Sequence, residues 1–289
     1  MFTSLKAILV ALCCSSILMS SAIAQSNIDP QNARLKNLIS WHKNLPTGQG
    51  VRVAIIDSGL VQDFPGNILS GWNFIDSSND VADTEGHGTG SASVVINLAR
   101  DVEIIPLKVT QDGVSNDNIL ISAVVYAIKS GAEIINLSIS FETKHFLEVK
   151  KNVTDEEFAR TLFVIAAGNR KQFIPEKLGN NALIVGATPL NLPIELAIYS
   201  DWGPGVEIAA PAGGVDDGIT VYKTIRPLTY RLYNGTSAAT PVVSAAAAIL
   251  KEKYPRLSGK EIKEILLSTA KSKSSLGNRV KNNKFLSLD

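Results

Sequence analysis

Four polar residues stand where apolar runs give way to turns, and each is of a type that can do chemistry. Asp57 follows Val-Arg-Val-Ala-Ile-Ile and precedes Ser58-Gly59. A carboxylate at such a strand end can orient a histidine, although acids there also bind nucleotides or metals, or cap a turn. His87 lies in Glu85-Gly86-His87-Gly88-Thr89-Gly90, where flanking glycines permit a tight turn and leave the imidazole unobstructed. Ser237 lies in Asn234-Gly235-Thr236-Ser237-Ala238-Ala239-Thr240-Pro241, at the mouth of an Ala-rich stretch. The unpaired N–H groups and partial positive charge of a helix start would favour an oxyanion there, but Thr236 or Ser237 could equally be a plain helix cap. Asn169 ends Val164-Ile165-Ala166-Ala167-Gly168-Asn169; its amide could donate to the same oxyanion, or it could form a turn. His42, on an N-terminal helical stretch, and His145, in a polar loop, have no motif around them and read as structural.

The elements that must position these residues follow from periodicity. Short Val- and Ile-rich runs at 51–56, 102–109, 133–138, 162–167, 182–187 and 206–209 end at turn signals and suit strands buried on both faces. Between them, 116–129 has apolar residues at helical spacing and stops at Gly131. The stretch 241–254 is apolar nearly all round, with Pro241 tolerated in its first turn. The stretch 258–270 opens on Ser258 with Glu261 three residues on, a capping box. Strands alternating with helices predict an α/β fold, a mostly parallel sheet with helices on both faces. Functional groups then gather at the carboxyl ends of the strands.

Composition narrows the class. Residues 1–24 combine Lys6, an apolar run broken by serines, and Ser21-Ala22-Ile23-Ala24, the layout of a cleavable secretory signal. The run is too short for a membrane anchor. Both cysteines, Cys13 and Cys14, fall inside that segment, so the exported chain has no thiol chemistry and relies on a core. Lys6 is the segment's only charge, which leaves equal numbers of acidic and basic residues and no basic stripe for nucleic acid or membrane. Asp155-Glu156-Glu157 reads as a helix start or a solvated face. No repeat or linker divides the chain, so one domain is expected, with a 25–47 lead-in and a loosely ordered polar tail at 273–289.

Taken in order, the four motifs are more telling than any one of them. From Gly48 to Ala270 the chain resembles the subtilisin-like serine proteases. Val-Ala-Ile-Ile-Asp57-Ser-Gly is similar to their aspartate motif, and Gly86-His87-Gly88-Thr89 to their histidine motif. Ala166-Ala167-Gly168-Asn169 is similar to their oxyanion-hole strand end, and Tyr233-Asn234-Gly235-Thr236-Ser237 with Pro241 to their serine motif. The order Asp, His, Ser is theirs, whereas α/β-hydrolases run Ser, acid, His and need a glycine where Ala239 stands. Gly71-Trp72-Asn73-Phe74, Tyr199-Ser200-Asp201-Trp202-Gly203 and Ile208-Ala209-Ala210-Pro211 agree as well, and His87 speaks against the sedolisins, which carry Glu there.

The resemblance implies the subtilisin three-layer fold over 48–272 and an exported, monomeric serine endopeptidase, secreted or periplasmic. Asp57, His87 and Ser237 would be its triad, Asn169 an oxyanion donor, and protein or peptide its substrate. Ser138, Ile139, Ser140, Ala167 and Gly168 would bind that substrate. Several departures qualify this. Gly90-Ser91-Ala92-Ser93 stand where the family has a second histidine and later a glycine. Ser140 and Phe141 replace glycines of the substrate strand, which predicts a preference for small residues before the cut, or weak proteolysis. The stretch 94–101 passes from helix to strand without the calcium loop many relatives insert, and the acidic 76–83 stretch reads as a solvated loop at least as readily as a metal site, so no cofactor is expected and calcium is allowed for without being predicted. Residues 25–50 leave little room for a folding pro-domain. The main alternative is a subtilisin fold that binds peptide or a partner with little turnover. A nucleotide-binding domain would need a phosphate-cradling loop after the first strand, which Ile56-Asp57-Ser58-Gly59-Leu60 is not.

Overall fold

The computed structural model describes residues 34–37, 44–111, 115–191 and 193–288; the expected signal segment 1–24 and His42 lie outside them. The elements run β1 (Arg52–Asp57), β2 (Asn67–Ile68), β3 (Trp72–Asn73), α1 (His87–Leu98), β4 (Glu103–Lys108), α2 (Asp117–Lys129), β5 (Ile134–Leu137), α3 (Thr143–Lys151), α4 (Asp155–Arg160), β6 (Leu162–Ala166), β7 (Ala182–Thr188), β8 (Ile208–Pro211), β9 (Ile219–Thr224), β10 (Thr229–Tyr233), α5 (Thr236–Lys253), α6 (Gly259–Thr269), β11 (Lys271–Ser272) and β12 (Lys284–Phe285). One sheet takes the order β11-β12-β8-β7-β6-β5-β1-β4-β2, with β3 also on β4, and every pairing is parallel except β11 with β12. β9 and β10 form a separate antiparallel hairpin.

Alternation along each strand divides the core between two faces. Val53 and Ile55, Ile134, Leu162 and Val164, and Leu183 and Val185 pack with α1, α5 and α6 through Val94, Val95, Val242, Val243, Ile262 and Leu266. Their sequence neighbours Ala54, Ile56, Ile135, Leu137, Phe163 and Ile165 face α2, α3 and α4 through Leu120, Val124, Phe146, Val149 and Phe158. The alanines 245–248 of α5 are fully buried, and small side chains let that helix lie close to α1 and the sheet. The capping box of Ser258 and Glu261 forms on α6 as read; Asn116 also caps α2, and Thr154 closes a further box on α4.

Three expectations change. The described part of the tail, 273–288, is not loose: it turns back through β12, where Phe285 pairs with Ala209 and is 1% exposed. α5 begins at Thr236, five residues before Pro241, because Gly235 at φ 89° ends the preceding strand. His145 sits in α3 and not in a loop; it is buried, and its Nδ1 accepts from the Glu142 N–H at 3.0 Å. Among the described residues no helix is long and apolar enough to cross a membrane.

The chain enters the sheet at β1, adds β4 on one side, then crosses to place β5 on the other. The carboxyl ends of β1 and β5 therefore flank the point where the winding reverses, the position where such sheets open a crevice. Asp57 ends β1 and Ser138 follows β5.

Candidate active site

Asp57 is fully buried, so its charge needs donors. Oδ1 accepts from the Ser58 N–H at 2.7 Å and lies 2.7 Å from His87 Nδ1, and Oδ2 accepts from Ser91 Oγ at 3.2 Å. The short His87 contact fixes the imidazole with Nδ1 protonated and leaves Nε2 as the working nitrogen. Burial alone pushes the His87 pKa down. The Asp57 charge and hydrogen bond outweigh that, with Arg231 opposing and Asp83 assisting, so the imidazole's pKa is raised above its ordinary value.

The turn before His87 is built around Asp83. Its Oδ1 accepts from Ser58 Oγ, Glu85 N–H and Gly86 N–H at 2.9, 3.1 and 2.7 Å. Its Oδ2 accepts from the Thr89 N–H and hydroxyl at 2.8 and 2.6 Å. Ser58 Oγ in turn accepts from the Gly88 N–H at 2.9 Å. Gly86 takes φ 78°, and a Cβ on Gly88 would meet the Gly59 carbonyl oxygen at 2.3 Å. Asp83 is thus no part of a merely solvated loop. It holds the histidine turn, a role that acidic composition alone did not reveal.

Ser237 is the second residue of α5, within the first turn whose N–H groups have no helical partner. Its Oγ donates to the Ser138 carbonyl at 3.0 Å. Its own carbonyl accepts from Ser138 Oγ at 2.9 Å. Pro241 explains the second bond. Lying four residues on and lacking an N–H, it leaves the Ser237 oxygen without its helical donor. Pro241 is therefore not a tolerated first-turn proline; it releases a carbonyl that ties α5 to the end of β5. Asn169 is oriented by Thr236, whose N–H and hydroxyl both donate to Asn169 Oδ1 at 2.9 and 3.0 Å. Thr236 Oγ1 also accepts from the Gly168 N–H at 3.1 Å. With the amide oxygen engaged, the Asn169 NH₂ is left to donate. Gly168 has φ 113°, and a Cβ there would come within 2.3 Å of Asp201 Oδ2.

Two depressions lie at this end of the sheet, and Ser237 lines the first of them. One, of about 550 Å³, is lined by His87, Asn169, Arg231, Leu232, Tyr233 and Ser237. The other, of about 420 Å³, lies between the ends of β5 and β6 and is lined by Ser140, Ala167, Gly168, Arg170, Glu176 and Asp201 among others. Of the residues expected to bind substrate, Ser140 is exposed, Ile139, Ala167 and Gly168 are half-buried, and Ser138 is buried with its hydroxyl turned into the network around Ser237. Phe141 turns into the core beside Phe163, ring centroids 6.4 Å apart, so the bulk at this strand end comes from Ser140.

Comparison with known proteins agrees with this geometry. Residues 48–285 match the family model for the subtilase family, Peptidase_S8. The chain belongs to the subtilase family of serine proteases. It is 32% identical to subtilisin BL of Lederbergia lenta over 244 residues, 80% of this chain and 87% of that one. It is 31% identical to alkaline elastase YaB of Bacillus sp. (strain YaB) over 245 residues, again 80% of this chain but 61% of the relative's length. In fold it is similar to a cold adapted subtilisin-like serine proteinase, with TM-score 0.72 and 24% identity, covering 86% of this chain and 91% of that chain. A lanthipeptide protease gives TM-score 0.70 at 23% identity, over 89% of this chain and 91% of that one.

Within this subtilase the departure at Gly90 has a structural counterpart. A Cβ on Gly90 would lie 3.2 Å from Cγ and Cδ2 of Tyr233. The tyrosine ring, 4% exposed, packs edge-on to His87 with centroids 5.3 Å apart. Arg231 lies 5.4 Å from the Tyr233 ring centroid and donates to the Gly86 carbonyl. Tyr233 was read only as the residue leading into the serine motif, and nothing local in the sequence ties it to Gly90.

Proposed function

We propose that this subtilase is an exported serine endopeptidase, acting as a monomer on protein or peptide substrates through Asp57, His87 and Ser237. The observation that carries the reading is the 2.7 Å contact of buried Asp57 with His87 Nδ1, in a groove that also exposes Ser237 at a helix N-terminus. Ser237 Oγ attacks the scissile carbonyl carbon while its proton passes to His87 Nε2. The C–N bond then breaks as that proton moves to the leaving amine, and an acyl-enzyme remains. Water, deprotonated by the same imidazole, releases the acid and restores Ser237. The Asn169 NH₂ and the Ser237 N–H stabilise the tetrahedral oxyanion. Ser237 must first turn from the Ser138 carbonyl to His87. That exchanges one hydrogen bond for another and costs on the order of 1 kcal/mol.

The test is labelling with a fluorophosphonate probe together with casein hydrolysis. Ser237→Ala is expected to abolish both. Labelling that persists in this variant would place the nucleophile elsewhere. A second reading, a subtilase fold that binds peptide with little turnover, is favoured by the resting bond from Ser237 to the Ser138 carbonyl. Peptide binding by an enzyme that neither labels nor cleaves would select it. Elution as a dimer in size-exclusion chromatography would overturn the monomer.

A further inference from the structure

We infer that Tyr233 is a positioning residue for His87, its phenolic oxygen accepting the Nε2 proton of the charged imidazole and so stabilising the imidazolium. The inference deepens the catalytic reading of His87 and rests on it. Around the triad four hydrogen bonds close a ring. Asp57 Oδ1 meets His87 Nδ1 at 2.7 Å, His87 Nε2 meets Tyr233 OH at 3.3 Å, Tyr233 OH meets Ser91 Oγ at 3.0 Å, and Ser91 Oγ meets Asp57 Oδ2 at 3.2 Å.

Counting protons around this ring assigns the donors. Asp57 is an acceptor only, so the single Ser91 proton goes to Oδ2, where the acceptor is charged. The Ser237 carbonyl, released by Pro241, is likewise an acceptor only, and it takes the single Ser138 proton. Ser138 Oγ meanwhile receives the Asn136 NH₂ at 3.0 Å. The amide oxygen in turn accepts from Ser244 Oγ at 2.9 Å. Neither serine has a proton left, so Tyr233 is the donor toward the serines, with Ser91 at 3.0 Å and Ser138 also in reach. Its oxygen then presents lone pairs to His87 Nε2. Only an imidazole carrying a proton on Nε2 satisfies that contact, and with Nδ1 already protonated toward Asp57 this is the imidazolium.

The charged groups around the imidazole are Asp57 from β1, Asp83 from the loop before α1, and Arg231 from β10. The two acids favour the cation and Arg231 opposes it. The raised His87 pKa is in keeping with this sum. Gly90 is what admits the arrangement, since a side chain there would meet the Tyr233 ring. Ser91 and Tyr233 together thus stand in the space where the family's second histidine is missing. The consequence is a proton-loaded resting base, with the acid limb of activity displaced to higher pH.

The test is an NMR titration of His87 in the Ser237→Ala background, where neither turnover nor autolysis intervenes, with and without Tyr233→Phe. Phenylalanine keeps the ring over Gly90 and removes only the hydroxyl. The His87 midpoint is expected about one pH unit lower in the Tyr233→Phe variant. In the Ser237-containing enzyme the acid limb of fluorophosphonate labelling is expected to fall by the same amount. A His87 midpoint that stays in place, or rises, overturns the assignment; a rise would mean that the phenol donates to neutral imidazole. Because the titration needs no activity, a protein that never labels refutes the catalytic reading while leaving the Tyr233 result to stand on its own.

Discussion

Asp83→Asn separates a histidine turn held by one carboxylate from a merely solvated acidic loop. The carboxylate accepts five hydrogen bonds, three on Oδ1 and two on Oδ2, between 2.6 and 3.1 Å. Asparagine keeps an oxygen for Ser58, Glu85 and Gly86 but sets an NH₂ against the Thr89 N–H. One backbone donor then loses its partner, at about 1–3 kcal/mol, and the remaining bonds lose their charge assistance. A total near 3 kcal/mol corresponds, for a domain of this size, to a Tm lower by roughly 6–12 °C. The assay is thermal unfolding in the Ser237→Ala background, paired with fluorophosphonate labelling of the Ser237-containing enzyme, whose rate is expected to fall as the His87 turn loosens. pH supplies a further check. Burial raises the Asp83 pKa, but hydrogen bonds from Thr89, Gly86 and Ser58 overcome it and hold the group below the ordinary carboxylate value. Its contribution is then complete above the unfolded value, about 4, and is lost as pH falls through the lower folded value. The Tm gap between parent and Asp83→Asn should be constant near neutrality and close below about pH 4. Equal Tm and labelling in the two proteins at pH 7 would refute the reasoning.

Removing one partner of the buried pair Lys263–Glu207, 2.7 Å apart and each under 5% exposed, strands the other charge. Glu207→Ala is expected to cost about 3–5 kcal/mol and lower Tm by roughly 6–20 °C, whereas Lys263→Met with Glu207→Leu recovers most of it; a drop in Tm below about 2 °C for the single variant would count against the pair. α1 passes to β4 across residues 99–102, and among the described residues no three His, Cys, Asp or Glu are grouped to hold a metal. Stability is therefore proposed to be independent of calcium, and a Tm that falls in excess chelator would contradict this. For specificity, Ser140 lines the depression between β5 and β6, and we propose that it narrows the entrance that a substrate side chain would use. Peptide-library profiling should show preference for small residues before the cut, and rapid cleavage after large aromatics would count against Ser140 as the limit.

What could be read in the sequence was what is local. Strands announced themselves by Val- and Ile-rich runs that end at turns, and α6 by Ser258 and Glu261, because a cap and its partner lie within one turn. Asp57, His87, Asn169 and Ser237 were legible as ordered motifs, each attached to an element end. The turn of 273–288 back onto the sheet was not, since it depends on Phe285 finding Ala209. Nor was the role of Asp83, whose partners Ser58 and Thr89 lie 25 residues before it and 6 after it.

The residues around Asp57, His87 and Ser237 also show why departures from a family pattern cannot be judged one at a time. Gly90 read alone is the loss of a side chain, and Tyr233 read alone is a strand-end aromatic. Together they fill one volume, and the phenol enters a hydrogen-bond ring whose polarity is set at its far side. Pro241 frees the Ser237 carbonyl, that carbonyl takes the Ser138 proton, and Ser138 Oγ is left only to accept, so it has no proton to offer Tyr233. A proline on α5 thereby helps to decide which way a tyrosine on β10 presents its hydroxyl to a histidine on α1. The coupling needs no movement of any element. It follows from each hydroxyl having one proton and from two acceptor-only oxygens, Asp57 Oδ2 and the Ser237 carbonyl, claiming two of them.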